Sequence, residues 1–321
     1  MSTIVYNNKC GVWKMDSRIY REIIARNREP EATEKTVCYL AEHLSKFLRP
    51  GERVLLCFPC REKGGLSDLF EQAALRCQAE PEVWSDLLWK NLLRQAFMHK
   101  VTAIISPPLI LLGLMKLKRH NKTPLSVRKV IVAGYPAPEW LVEGLVQGFD
   151  CEVAGCFGLE HSGIVAGFAC GSSWGVHLWE EQYGVDIIDD SGRSLPEGHQ
   201  GQIVLYPRKA PELRLPIGDT AVLTREACPC GNPAPRLINM CYGGLLDSEL
   251  DALANHLMSW TSILDCHVKR GELGLEMEIV CFQGEKLPQL PTAARLVIRH
   301  WDPASDTPLI HASSLKIPEM L

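Results

Sequence analysis

The sequence predicts an α/β protein: a mixed sheet flanked by helices, then a β-rich hairpin lobe and a small α+β C-terminal lobe. Three observations carry this expectation. Short apolar runs alternate with amphipathic stretches between Arg49 and Gln147, the signature of a parallel or mixed sheet with helices packed on it. From Gly184 the pattern changes to paired strand-like runs with turn residues between them. After Arg236 helical and strand patterns mix again. The expected division is residues 1–240, with the β-rich lobe at 184–240, and residues 241–321.

Met1 to Glu31 is polar and poorly patterned, although Ile19, Tyr20, Ile23 and Ile24 give Asp16–Arg26 a helical spacing that Pro30 ends. In Glu31–Leu48 the residues Val37, Leu40, Ala41, Leu44 and Leu48 form one apolar helical face. Arg49-Pro50-Gly51-Glu52 reads as a turn, and Val54–Phe58 as a buried strand. Glycines 64 and 65 precede a helix over Leu66–Arg76, and a further helix covers Leu87–His99. Val101–Ser106 and Val127–Ala133 read as strands, Leu109–Arg119 and Glu139–Gln147 as the helices that follow them. Gly184–Asp189 and Gln202–Tyr206 form a hairpin around Asp190, Gly192, Pro196 and Gly198. Beyond it, Ser248–Met258 is expected to be helical, Glu276–Phe282 a strand and Leu290–His300 a helix.

Composition is that of a soluble globular protein. The net charge of -4 gives no reason to expect nucleic acid. Ile104–Met115 is too short to span a bilayer and contains Pro107 and Pro108. The first residues lack a signal-peptide core. Thirteen cysteines, an odd count without a short secreted framework, suggest a reducing cytoplasm with mostly free thiols and one metal site. Cys57-Phe58-Pro59-Cys60 has Cys-x-x-Cys spacing, but its first half falls in a buried strand, which favours packing over redox chemistry.

The stretch Cys151–Arg236 carries a set of motifs in order. These are Cys156-Phe157-Gly158-Leu159-Glu160-His161, Gly175-Val176-His177-Leu178-Trp179-Glu180-Glu181, Asp186-Ile187-Ile188-Asp189, Gly218-Asp219 and Cys228-Pro229-Cys230-Gly231. In order and spacing the set resembles the adenylate-forming superfamily, in particular its phenylacetate–CoA ligase and coenzyme F390 synthetase-like branch. The resemblance runs from about Arg49 to Arg236 and weakly beyond. It implies ATP-dependent adenylation of a carboxylate followed by thioester formation, with ATP/AMP, Mg²⁺ and coenzyme A as cofactors and a small-molecule carboxylate as substrate.

Residue by residue, the resemblance places adenine against Phe157 and Gly158, although a Phe at a strand end is also an ordinary core residue. Asp219 matches the aspartate that accepts hydrogen bonds from the ribose hydroxyls, as a carboxylate can from two donors at once. Arg214 keeps one of two family arginines, the other position being Pro216. His161 stands where the family has a magnesium-binding Glu. Imidazole is a poor magnesium ligand, so Glu160 serves only if the loop shifts by one residue; a surface polar pair is the alternative. Lys316 lies near the end of the chain where the family delivers a lysine to the acyl-phosphate, but without its Gly-Lys context an ordinary surface lysine is the other reading. The family hinge Gly-Arg-x-x-Asp becomes Gly243-Gly244-Leu245-Leu246-Asp247. The glycine-rich phosphate loop has no counterpart in Arg18–Glu29. Two readings follow: an active acid–CoA ligase, or a degenerate or split member that binds nucleotide or acyl group. The split form would take its phosphate loop from a partner chain; a homodimer is the other partner expected. Finally, Cys170, His177, Cys228 and Cys230 fit a closed, structural Zn²⁺ site of thiolates and imidazole.

Overall fold

The computed structural model describes residues 5–7, 12–14, 17–59, 61–84, 88–137, 139–160, 162–172, 175–241, 248–293, 295–302 and 304. A short hairpin, β1 (Val5–Asn7) and β2 (Val12–Lys14), leads into α1 (Ser17–Asn27) and α2 (Pro30–Leu44). Pro30 opens α2 at its first turn, where the missing N–H costs nothing. Then follow β3 (Arg53–Cys57), α3 (Leu66–Arg76), β4 (Glu80–Trp84), α4 (Trp89–Met98), β5 (Ala103–Ser106), α5 (Pro108–His120), β6 (Lys129–Ala133) and α6 (Glu139–Phe149). The remaining strands of the main sheet are β7 (Glu152–Leu159), β8 (Ile164–Phe168), β9 (Val176–Leu178), β10 (Tyr183–Ile188), β11 (Gln200–Pro207), β12 (Leu215–Thr224) and β13 (Arg236–Cys241). The chain then forms α7 (Ser248–Ser259), β14 (Ile263–Gly271), β15 (Gly274–Cys281) and β16 (Arg295–His300).

The large sheet has eleven strands in the order β10-β11-β12-β13-β9-β8-β7-β6-β5-β3-β4. From β7 to β4 all neighbours are parallel, and from β7 to β10 all are antiparallel. This is the mixed, helix-flanked sheet the alternation predicts. Strand alternation sorts the core into two layers. Val54 and Leu56 of β3 pack with Val37, Leu40 and Leu44 of α2 and with Leu66, Leu69 and Phe70 of α3. Leu55 and Cys57 point the other way, into a cluster with Leu92 of α4, Leu111 of α5 and Leu145 of α6. That second cluster continues into Leu257, Ile263, Leu264, Met277 and Ile279, so β14 and β15 cover the outer side of the helices. No helix among the described residues is long and apolar enough to cross a membrane.

One expected element is corrected. Leu290–His300 does not form a helix: residues 295–300 are β16, parallel to β15 in the register Met277↔Leu296 and Ile279↔Ile298. β-branched Val297 and Ile298 suit this pleated setting.

β4 takes the chain to one side of β3, and β5 to the other. The strand order therefore reverses between β3 and β5. In open α/β sheets such a reversal opens a crevice beyond the carboxyl ends of the strands, where ligands bind.

Candidate functional site

The residues at this carboxyl end are the loop into α3 and the turn after β7. They are joined by main chain: the Leu66 N–H, at the start of α3, donates to the Glu160 carbonyl at 3.0 Å. Nearby, Asn27 Nδ2 donates to the Ser162 carbonyl at 3.5 Å, and the Tyr183 hydroxyl donates to Asn27 Oδ1 at 2.9 Å. Arg28 reaches Glu62 of the same loop at 2.5 Å. α1, the loop before α3, the β7–β8 turn and β10 thus meet at one place.

Both motif pairs expected to meet nucleotide fall at breaks in the strand register. β7 and β8 slip between Phe157 and Gly158. A side chain at Gly158 would put its Cβ 2.4 Å from the Ile164 carbonyl oxygen, so only glycine permits the approach. In β12, residues 217–219 together face Ile203, because Gln202 pairs with Thr220 and Val204 with Pro216. Such bulges re-aim side chains and recur beside active sites. Asp219 and Phe157 are each only 3% exposed. Phe157 belongs to a cluster that includes Ile19, Tyr20 and Ile23 of α1. Arg214, just before β12, pairs with Asp186 at 2.5 Å and stacks over the Tyr206 ring, 5.4 Å from its centroid. His161, Lys316 and the Gly243–Asp247 segment lie outside the described residues. Between α1 and α2 stand only Arg28 and Glu29, so no glycine-rich loop leads into α2. Cys57 is fully buried, which pushes its thiol far up; Cys60 lies outside the described residues.

The structure does assemble Cys170, His177, Cys228 and Cys230. Their ligand atoms all lie within 4.8 Å of one another. Cys170 Sγ and Cys228 Sγ are 3.6 Å apart, and Cys230 Sγ is 3.3 Å from His177 Nε2. A tetrahedron with bonds of about 2.3 Å to sulfur and about 2.0 Å to nitrogen has edges of roughly 3.5–3.8 Å, close to both separations. Three segments supply the set. Cys170 follows β8, and His177 is the middle residue of β9, paired with Phe168 and Arg236. The cysteines of the Cys-Pro-Cys-Gly segment come from a tight turn closed by Gly231 N–H on the Cys228 carbonyl at 3.0 Å. His177 Nδ1 donates to the Ala234 carbonyl at 2.9 Å, which leaves the lone pair on Nε2, facing the three sulfurs. The Asn232 N–H lowers the Cys230 thiol, but desolvation and the neighbouring thiols of Cys228 and Cys170 outweigh it and leave that thiol raised. A bound cation would reverse the balance.

No protein-family model matches the chain, and no curated protein matches it. Solved structures do match. The fold is that of adenylate-forming enzymes. A 2-hydroxyisobutyryl-CoA ligase in the postadenylation state, in complex with 2-HIB-AMP, superposes with a TM-score of 0.57 at 14% identity, over 92% of this chain and 71% of that one. A benzoate CoA ligase from Burkholderia xenovorans gives 0.52 at 14% identity, over 88% of this chain and 65% of its own. An anthranilate CoA ligase in complex with anthranoyl-AMP gives 0.53 at 14%, over 88% and 63%. The chain thus spans about two thirds of the length of these proteins.

Proposed function

We propose that this protein binds an adenine nucleotide at the carboxyl-end crevice and belongs functionally with the AMP-forming acid–CoA ligases of the phenylacetate–CoA ligase-like type. The observation that carries the reading is the pair of register breaks. They place Gly218-Asp219 in a bulge of β12 and put the bulged Ala166 of β8 opposite the Phe157–Gly158 step, at the nucleotide positions of the resemblance. In this reading Asp219 accepts from the ribose hydroxyls, for which a carboxylate has the lone pairs. Gly158 lets β8 close against β7 at Ile164, and Phe157 beside it borders the base once the α1 cluster opens. Glu160 is the described carboxylate nearest in sequence to the expected magnesium position, and one carboxylate is a sparse set for that ion, so no step is assigned to magnesium. Coenzyme A enters as the thiol acceptor on the strength of the resemblance alone.

Zinc fits the quartet, in chemistry and in spacing. Cys170, His177, Cys228 and Cys230 would hold it with no open position, so its contribution is structural. It fastens β9 and the Cys228–Gly231 turn to the segment after β8.

A second reading is favoured by the Arg28-Glu29 junction. The phosphates would need a cradle supplied by other polypeptide, as in a split or non-catalytic member. ATP–pyrophosphate exchange over a panel of carboxylates, with AMP calorimetry alongside, separates the two. Exchange by the chain alone establishes the ligase. AMP binding without exchange establishes the second reading. Neither exchange nor binding at millimolar nucleotide overturns both.

A further inference from the structure

The amino ends of β3, β5 and β6 face away from the nucleotide crevice. Lys129, the first residue of β6, is level with Glu152 of β7, and Phe157 lies five residues further along that strand, about 16 Å away. A groove of about 600 Å³ opens here, with Arg49, Glu52, Arg53, Lys100, Arg128 and Lys129 in its walls. That is five cations against one carboxylate, in a chain whose net charge is -4.

Two of these cations are already balanced. Arg53 pairs with Glu80 at 3.3 Å and donates to the His99 carbonyl at 2.9 Å. Lys129 pairs with Glu52 at 2.8 Å, and Glu52 also accepts from the Arg49 N–H and the Thr102 hydroxyl. These bonds brace the walls on strand ends. Among the described residues, no carboxylate pairs with the side chains of Arg49, Lys100 or Arg128. On the far side of Arg128 the surface turns acidic, since the adjoining hollow carries Asp150 and Glu152.

We propose that this groove is a second ligand site, separate from the nucleotide crevice, which takes a small anion bearing two or more phosphate groups. Guanidinium forks match phosphate oxygens in pairs. The groove is open to solvent, so a single charge would be largely screened and several must act together. Concavity and volume suit a small molecule. Asp150 and Glu152, with the negative charge of the rest of the chain, disfavour a long polyanion such as nucleic acid. The inference does not rest on adenylation.

The test is calorimetry on the full chain with tripolyphosphate and with inorganic phosphate, with AMP present at saturation if it binds. One tripolyphosphate per chain is expected, with phosphate much weaker. Arg128→Ala combined with Lys100→Ala should weaken tripolyphosphate by about tenfold or more, with an unchanged melting temperature. The same loss of charge in the hairpin lobe, Arg193→Ala with Lys209→Ala, should leave binding intact, as should Asp219→Asn. Absence of stoichiometric binding overturns the proposal. So does equal weakening by the hairpin-lobe pair, or displacement by AMP, which would assign the anion to the nucleotide crevice.

Discussion

The indole N–H of Trp89 donates to the carboxylate of Asp265 at 3.1 Å, across 176 positions of sequence. Neither residue has any exposed surface. The bond joins α4 to β14, and α5 adds a second tie: Lys116, 5% exposed, donates to the carbonyls of Met258 and Ile263 at 2.5 and 2.6 Å. The His120 ring stacks on Phe282 at 4.2 Å. The three-stranded sheet is thereby built onto the helix layer.

Trp89→Phe keeps an aromatic ring but removes the indole N–H and part of a fully buried side chain. Taking a donor from a buried carboxyl group costs about 1–3 kcal/mol, the cavity adds to it, and unfolding in urea should show a loss of at least that size. Gly113→Ala should cost about 1–3 kcal/mol, because the new Cβ would lie 2.0 Å from the Trp89 ring. A change within about 0.5 kcal/mol for both, the range of an ordinary surface substitution, would show that α4 and α5 do not anchor the small sheet.

Lys116 makes the anchoring depend on pH. Burial lowers its ammonium from 10.5 to about 7, against the pull of Cys266 and Asp265. Between those values the unfolded chain holds a proton that the folded chain has released. The contribution of this site to stability therefore rises with pH from about 7 to 10.5 and is flat below about 7. Lys116→Met should remove that slope, while leaving two buried carbonyls without this donor at a cost of about 1–3 kcal/mol. Denaturant curves at pH 6.5, 8 and 9.5 check it; a slope that survives the substitution belongs to another group.

Asp219→Asn halves the carboxylate's acceptor capacity with little change in shape. If Asp219 holds ribose, AMP affinity should fall about tenfold or more, since each lost bond to a charged acceptor is worth about 1.5–3 kcal/mol. Calorimetry with AMP and 2′-deoxy-AMP gives the readout. The variant should discriminate between the two less than wild type does. Equal discrimination would move the ribose contact elsewhere.

What the sequence made legible follows from the range of each interaction. The buried strands β3, β5 and β6 declare themselves as continuous apolar runs, and α2, α3 and α4 by their stripes, because those patterns are local. β4 leaves no such trace: Glu80-Pro81-Glu82 is polar, and an edge strand tolerates its proline. β16 misleads because a short apolar run fits either period, and its parallel pairing with β15 decides the matter. The metal-type quartet is readable since few residue types bind soft cations. The Ala234 carbonyl that orients His177 has no sequence signal, being main chain, and the Trp89–Asp265 and Lys116 ties depend on partners more than a hundred residues away.

The last expectation concerns the quartet and is independent of any activity. Its four ligand atoms come from three segments, and the imidazole is held by the Ala234 carbonyl with Nε2 toward Cys230 at 3.3 Å. Thiolates and imidazole select zinc over magnesium. Ligation requires deprotonated thiols in the folded arrangement, so metal affinity adds to folding free energy and weakens as pH falls. Protein purified without chelator should carry one zinc per chain. Cys228→Ser should release it and lower the melting temperature, and a strong chelator should do the same to wild type. Cys241→Ser, at an exposed cysteine outside the set, should retain the metal. Zinc content near zero in wild type would refute the site. Zinc retained in Cys228→Ser, with Cys170→Ser and Cys230→Ser equally without effect, would place the ion elsewhere.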